Sequence, residues 1–141
     1  PFEPTQVELD GKAFSVEPDE RRAFENALKQ FRAGEFAPSI ASFQQLRSRW
    51  PQSGYLPYAL FWTGSAQFAI KDYKAAIATQ QSLLASFPDH PRAPDAWLSL
   101  GIAQSESGDK KAARKSFETV IQKYPDAQAS TLAKERLAAL R

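Results

Sequence analysis

Apolar residues recur three and four positions apart along most of this chain, and polar residues fill the positions between them. This spacing predicts amphipathic helices, each with one apolar face. A proline closes the second helix of every pair, because proline lacks the N–H group and disfavours a helical residue before it. The pattern predicts three first helices at 19–33, 55–70 and 93–107, and three second helices at 38–49, 74–86 and 111–123.

The helix pairs are copies of one another with a period of 37 residues, as the aromatic residues at positions 50, 87 and 124 indicate. Such a period is typical of repeat proteins, in which each unit buries its apolar face against the next. Gly34 and Gly108 follow the first helix in two copies, where a left-handed residue ends a helix. The three copies also share a glutamine and a small residue in the first helix, namely Gln30, Gln67 and Gln104, and Ala27, Gly64 and Gly101.

The end of the chain carries half of a fourth copy. Its charged side chains suit a capping helix, which must cover the last apolar surface of a stack with one polar face of its own. We therefore expect an all-α solenoid over residues 19–141, with approximate repeats 20–56, 57–93 and 94–130 and a capping helix at 131–141.

The first 18 residues lie outside the repeats. Apolar side chains alternate with polar ones on both sides of Asp10-Gly11, which favours a type I′ β-hairpin. Pairing Leu9 with Lys12 would place four apolar side chains on one face, those of Val7, Leu9, Phe14 and Val16. An isolated hairpin is marginal in water, so this face needs a partner, and the first helix pair is one candidate. A flexible linker is the alternative, and the pattern leaves both open.

Composition narrows the class of function. Lys plus Arg exceeds Asp plus Glu by two, and the charges are mixed along the chain, which disfavours a nucleic-acid footprint. There is no cysteine, so disulfides and cysteine-based zinc sites are excluded. There is also no methionine, so a targeting segment could precede Pro1.

Catalysis is not expected. His90 is the one histidine, and it lies in a loop between repeats with no nucleophile elbow elsewhere in the sequence. The six glycines are dispersed and form no phosphate-binding loop. We predict no catalytic residue, no cofactor and no metal site.

The repeat resembles the tetratricopeptide (TPR) family. The features that match are the small residue of the first helix, the Gly-x-aromatic turn at Gly34, a small residue early in the second helix at Ala76 and Ala113, and the closing proline. Each unit is about three residues longer than the usual TPR period of about 34. The resemblance implies a scaffold that binds other proteins.

Five segments of the longer repeat resemble the C-terminal domain of the periplasmic TPR family of the Tol-Pal system, the cell division coordinators. They are 61–64, 72–77, 94–101, 108–113 and 120–125. The sequence departs from that family at Lys110, which replaces a turn aromatic, and it lacks the N-terminal trimerising coiled coil. Related repeats also occur in outer-membrane assembly lipoproteins.

The Tol-Pal resemblance implies a periplasmic scaffold that contacts TolA and a bifunctional penicillin-binding peptidoglycan synthase. It would coordinate wall synthesis with outer-membrane constriction, and an upstream coiled coil would make the full-length protein a homo-oligomer. The alternative is a targeting or assembly module for a different protein partner, either of the outer-membrane assembly type or attached to an enzymatic domain outside this chain.

The first helices of such a stack line its concave face, where peptides commonly dock. A carboxylate clamp is disfavoured, because Phe24, Leu28, Trp62, Asp95 and Ser99 replace its Lys and Asn donors. Aromatic anchors dominate protein interfaces, although the same spacing also suits packing between repeats, and both readings stay open. The candidate partner-binding residues are Phe24, Leu28, Phe31, Tyr58, Phe61, Trp62, Phe68, Leu98 and Ile102.

Overall fold

The computed structural model describes residues 3–140, so Pro1, Phe2 and Arg141, the ends of the predicted linker and capping helix, lie outside the described residues. Within that range the chain forms two strands followed by seven helices, and each helix packs on the next. The strands are β1 (Thr5–Leu9) and β2 (Lys12–Val16). The helices are α1 (Pro18–Arg32), α2 (Phe36–Arg49), α3 (Leu56–Ala69), α4 (Tyr73–Ser86), α5 (Ala93–Glu106), α6 (Lys110–Lys123) and α7 (Gln128–Ala139). The predicted all-α repeat stack is confirmed.

The last helix begins at Gln128, three residues before the predicted start at Thr131, so that boundary was wrong. The proline in the first turn of α3 and α5 explains the difference. Proline is tolerated in a first turn but not inside a helix, so Pro57 and Pro94 fix where those helices begin. Thr131 replaces this proline in α7, and the helix can extend further toward its N-terminus.

The glutamine shared by the three repeats joins the two helices of each unit. In every repeat a hydroxyl of the second helix donates a hydrogen bond to the glutamine Oε1 atom of the first helix. The bonds are Ser42 to Gln30 at 2.6 Å, Thr79 to Gln67 at 2.7 Å and Ser116 to Gln104 at 2.6 Å. The same side-chain contact therefore recurs in each repeat, with the period of the sequence.

The turn inside each repeat uses a left-handed residue. Gly34 has φ +80° and Gly108 has φ +95°, as the sequence predicts. Lys71 takes the same place in the middle repeat with φ +64°, although it carries a Cβ. The turn geometry is thus kept where the glycine is lost, at the cost of some backbone strain.

The small residue of each first helix makes room for a side chain of the second helix. A Cβ atom added at Gly101 would lie 2.6 Å from the ring of Phe117, and one added at Gly64 would lie 2.4 Å from the side-chain nitrogen of Gln80. Phe43 is the equivalent residue of the first repeat, one period before Gln80. Phe43 and Phe117 are fully buried and anchor the first and last parts of the core, while Gln80 is buried at the same position of the middle repeat.

Residues 5–16 form the hairpin, not a linker. β1 pairs antiparallel with β2, with Leu9 opposite Lys12 and Val7 opposite Phe14. Asp10 and Gly11 both have positive φ, which is the geometry of a type I′ turn. The apolar face of the hairpin packs on the core of the first repeat and buries Val16 there.

Candidate partner-binding groove

The structure divides the nine predicted binding residues by exposure. Phe24, Tyr58, Phe61 and Leu98 are at most 8% exposed and belong to the core. The other five are half-buried and reach the surface, namely Leu28, Phe31, Trp62, Phe68 and Ile102. In the free chain these four residues therefore pack inside the protein and do not form a binding surface.

The hairpin and the loop before α3 explain why Phe24 and Tyr58 are buried. The ring of Phe24 stacks on that of Tyr55 at 4.0 Å, and Phe14 of the hairpin meets Tyr55 edge-on at 5.2 Å. Burial raises the pKa of Tyr55 to about 12 and raises the pKa of Tyr58 as well, so both phenols keep their protons. The Tyr58 hydroxyl donates to the backbone oxygen of Leu9 at 2.9 Å. The part of the concave face around Phe24 and Tyr58 is therefore covered by the protein's own hairpin, and we call it the covered half.

Arg92 joins the hairpin to the third repeat. Its side chain forms ion pairs with Asp10 in the hairpin turn at 3.0 Å and with Asp95 at 3.4 Å. The guanidinium group also lies over the ring of Phe61 at 5.2 Å and near that of Trp62 at 5.5 Å. Burial raises the pKa of the Asp95 carboxyl group, while the Arg92 charge opposes that effect. Sequence reasoning missed Arg92, because Asp10, Phe61 and Trp62 lie far from it along the chain and only Asp95 is near.

His90 has a structural place beside these groups. It is 8% exposed, its Nδ1 atom accepts a hydrogen bond from the backbone N–H of Arg92 at 3.0 Å, and its ring meets Tyr58 edge-on at 4.8 Å. Burial lowers the pKa of His90, with a further contribution from Lys12. A neutral imidazole that accepts from the backbone is already engaged, so the contacts of His90 are those of a core residue.

An exposed aromatic row follows the covered half. The ring of Phe31 lies 5.0 Å from that of Trp62 and 5.3 Å from that of Phe36, and Trp62 contacts Phe61 at 5.1 Å. Phe31 and Trp62 are half-buried and reach the surface. These two predicted residues are therefore brought together at the surface, with Arg92 beside Trp62.

The concave face between α3 and α5 is open. A cavity of about 130 Å³ lies there, with Phe68 and Ile102 among its walls. Ser65 and Ser99 also line it, and Gln80 of α4 contributes from beneath. We call this region the open half. Two of the predicted binding residues thus share one cavity, which the hairpin does not reach.

Gln80 is a cavity residue that the sequence reasoning missed. Its Nε2 atom donates to the backbone oxygen of Phe61 at 3.3 Å, whereas no described residue donates to its Oε1 atom. A buried oxygen without a donor costs free energy, and such groups are uncommon in folded proteins. The signal that could have found it is the 37-residue period, because Gln80 falls where the other repeats have phenylalanine.

The described residues provide neither a metal site nor a membrane-spanning helix. No group of three or more His, Cys, Asp or Glu side chains is placed to hold a metal ion there. Among residues 3–140 no helix has the length and apolar character to cross a bilayer.

Comparison with known protein families identifies the family of this chain. The model of the YfiO family, described as outer membrane lipoprotein, matches residues 17–141. The chain belongs to this family. The matched range includes all seven helices of this YfiO-family chain and leaves out its hairpin.

Solved structures similar to this YfiO-family chain include TPR domains and a type III secretion chaperone. The type III secretion chaperone SycD of Yersinia enterocolitica, in complex with a peptide of the translocator YopD, has a TM-score of 0.75 at 16% identity, covering 89% of this chain and 94% of that one. The first TPR of Spaghetti (RPAP3), bound to the HSP90 peptide SRMEEVD, has a TM-score of 0.72 at 19% identity, covering 86% and 89%. The Sgt2 TPR domain of Aspergillus fumigatus has a TM-score of 0.72 at 19% identity, covering 86% and 78%.

At these identities the likeness establishes the fold, an all-α TPR solenoid. No curated protein matches the chain in sequence. The family and the fold together identify a TPR protein-interaction module of an outer-membrane lipoprotein family.

Proposed function

We propose that this chain is a non-catalytic scaffold in the periplasm, which binds an apolar or amphipathic segment of a partner protein along the open half of its concave face. The observation that carries the proposal is the cavity between α3 and α5, with the half-buried side chains of Phe68 and Ile102 in its walls. An apolar concavity with a few polar groups is the usual form of a recognition site. Leu28, Phe31 and Trp62 extend the apolar surface toward the covered half.

The comparisons support the kind of ligand and the location. SycD and the Spaghetti TPR, which share the fold, were both solved with peptides bound. The outer membrane lipoprotein description of the family supports a position in the cell envelope.

The Tol-Pal resemblance supplies the candidate partners, which are TolA and the bifunctional penicillin-binding peptidoglycan synthase. With these partners the scaffold would coordinate peptidoglycan synthesis with outer-membrane constriction during cell division. The five matching segments lie in both helices of the second and third repeats, where the open half is also formed.

A second candidate function is outer-membrane assembly. The family match over residues 17–141 favours it, because it covers the whole solenoid. The partner would then be another protein of the envelope, bound on the same face. The two candidates differ in partner and agree on the binding surface.

An affinity titration separates them. The domain is titrated with the isolated periplasmic domains of TolA and of the synthase, in the wild type and in Phe68→Ala and Ile102→Ala variants. We expect saturable binding that each variant weakens at least about tenfold, as removal of an interface anchor does. Ile70→Ser is the matched control, because Ile70 is an exposed apolar residue outside the cavity. Absence of binding to both domains contradicts the Tol-Pal role, and binding that Phe68→Ala leaves unchanged contradicts the groove.

A further inference from the structure

We infer that the convex face of the third repeat binds an acidic segment of a partner protein, with an apolar side chain of that segment in a groove beside Trp97 and its carboxylates against Lys111 and Lys115. This groove lies on the opposite side of α5 from the cavity of the open half. The inference therefore goes beyond the proposed function and does not depend on it.

The groove lies between the second helices of the last two repeats, over the helix that separates them. Trp97 and Leu100 of α5 line it from below, and Leu84 of α4 lines one side. It measures about 310 Å³ and is larger than the cavity of about 130 Å³ in the open half. Trp97 is half-buried, so its ring reaches the groove without protruding from the protein. An apolar concavity of this kind accommodates a protruding side chain of a ligand.

The surface tryptophan distinguishes the third repeat from the other two. Leu60 takes the place of Trp97 one period earlier, and Ala23 takes it two periods earlier. Leu60 is 6% exposed and belongs to the core of the stack. An indole at this place therefore exceeds what packing between repeats requires.

A positive cluster borders the groove. Lys115 lines the groove itself, and Lys111 lies one turn before it on the same face of α6. Lys110 and Arg114 extend the cluster along the start of the helix, and all four side chains are exposed. None of them forms an ion pair with a described residue. The cluster is therefore available to a negatively charged ligand.

The cluster opposes the folding of α6. Lys110 with Arg114 and Lys111 with Lys115 are like-charged pairs four residues apart, and such pairs destabilise a helix. Positive charge in a first turn is also unfavourable toward the helix macrodipole, which the N-cap Asp109 offsets only in part. Carboxylates of a ligand would relieve this repulsion.

The middle repeat shows that the fold does not need these charges. One period before Lys110, Arg114 and Lys115 the chain has an aromatic and two apolar residues, which are Tyr73, Ile77 and Ala78. The third repeat thus combines two departures from the repeat pattern, an indole in the groove and a positive cluster on its border.

The shape of the surface favours a protein segment over a lipid bilayer. A bilayer takes up apolar side chains that protrude, whereas Trp97 is recessed among three helices. The large apolar side chains that are exposed in the described part of the chain, Ile70 and Leu132, do not line the groove. An apolar centre with a charged rim is the usual composition of a protein interface.

The test titrates isotope-labelled protein with a synthetic peptide of sequence EELLEELLEELLEE and follows the indole N–H signals by NMR. The three tryptophans report on three surfaces. Trp97 reports on the groove, Trp62 on the exposed aromatic row, and Trp50 on its hydrogen bond to Glu17 in the first repeat. We expect the peptide to shift the Trp97 signal saturably and to leave the other two unchanged.

Two control peptides separate the charges from the apolar anchor. One has Lys in place of every Glu, and the other has Ala in place of every Leu. We expect each to bind at least about tenfold more weakly, because each lacks one of the two complementary features.

Variants of exposed residues then locate the site without altering the core. We expect the double variant Lys111→Gln, Lys115→Gln to weaken binding by about fivefold to tenfold, as loss of two exposed ion pairs allows. Thr119→Glu places a carboxylate in the lining of the groove, one turn after Lys115, and should abolish saturable binding. Lys123→Gln is the matched control, because it removes a positive charge from the same helix outside the groove. Thermal melts check that every variant folds.

Three results would overturn the inference. They are a shift of the Trp62 signal in place of the Trp97 signal, equal affinity for the Glu and Lys peptides, and equal weakening by Lys123→Gln and by the double variant. Sedimentation with phosphatidylglycerol vesicles tests the lipid alternative. Vesicle binding that needs Lys111 and Lys115, without binding of the peptide, would assign the cluster to an anionic lipid surface and would also overturn the inference.

The two proposals fail separately because they concern opposite faces. Phe68→Ala lies in the open half, and we expect it to leave binding of the acidic peptide unchanged. A partner bound along the open half would in turn be insensitive to Thr119→Glu.

Discussion

The covered half and the open half of the concave face are built from the same repeated helix, yet only one of them is left for a ligand. In the covered half the hairpin lies on the core that contains Phe24, Tyr55 and Tyr58. In the open half the ring of Phe68 has solvent on one side and a cavity beneath it. A groove-facing position in a solenoid becomes core or binding surface according to what covers it.

The difference also shows how a repeat protein acquires specificity. The hairpin covers the apolar surface of the first repeat, which a partner would otherwise cover. That region therefore contributes to the stability of the fold. The middle repeat exchanges a core phenylalanine for Gln80, so that region gives up some packing and gains an unfilled place. Stability and recognition are thus assigned to neighbouring units of one stack.

The largest effect should come from the same substitution made in the two halves. Phe24→Ala removes a ring that stacks on Tyr55 and meets Phe43, and we expect it to lower the free energy of unfolding by about 3–5 kcal/mol. Phe68→Ala should cost less, about 1 kcal/mol, because that ring is only partly buried. Chemical denaturation of both variants measures the difference. Equal losses would show that the two halves are equally part of the core.

The attachment of the hairpin gives the next effect. Tyr58→Phe removes the hydroxyl that donates to Leu9, and we expect a loss of about 1 kcal/mol in the free energy of unfolding. Hydrogen exchange should then become faster in β1 and stay unchanged in α6. Tyr73→Phe is a suitable control, because the Tyr73 ring lies beside Phe68 at 5.4 Å and does not touch the hairpin. Unchanged exchange in β1 would contradict a role of Tyr58 in holding the hairpin.

The turns allow a smaller, reciprocal test. We expect Lys71→Gly to stabilise the protein by about 0.5–1 kcal/mol, because glycine adopts the left-handed conformation without strain. Gly34→Lys should destabilise it by a similar amount, since no atom lies within 4 Å of a Cβ added there and the cost is conformational. Thermal melts of both variants check the signs. A loss of stability in Lys71→Gly would mean that the lysine side chain contributes more than its backbone costs.

The smallest expected effect is the pH dependence that His90 gives to the free energy of unfolding. Burial holds the pKa of His90 below its ordinary value near 6.5, so the folded state binds fewer protons than the unfolded state. The stability that neutral His90 contributes is therefore complete above about pH 6.5 and falls as the pH decreases through the lowered pKa. Denaturation at pH 7.5 and at pH 5.5 should show a smaller decrease in His90→Asn than in the wild type. Parallel decreases would mean that the pKa of His90 is the same in the folded and the unfolded state.

Much of the fold could be predicted from the sequence, because it depends on local rules that the repeat states three times. The turn residues Gly34 and Gly108 and the hairpin register around Asp10 follow from backbone preferences. The start of α7 could not be placed by analogy with α3 and α5, since Thr131 lacks the proline that fixes a helix start.

The candidate site was less predictable. Helical spacing identifies Tyr58 as groove-facing, but its burial depends on the hairpin, which lies nearly fifty residues earlier in the chain. The ion pair between Arg92 and Asp10 spans a still longer separation. The 37-residue period marks Gln80 as the exception among buried phenylalanines. Its unsatisfied oxygen, however, is visible only when every neighbouring donor has been placed.

The ion pair between Asp10 and Arg92 changes how the stack should unfold. Solenoids are coupled between nearest neighbours, so their ends commonly fray one unit at a time. Here the hairpin that precedes the first unit is fastened to Arg92, the N-cap residue of the third unit's first helix, and the contact passes over the second unit. The hairpin is therefore tied to the third unit as well as to the first, and the hairpin and the first two repeats should open together as one cooperative block.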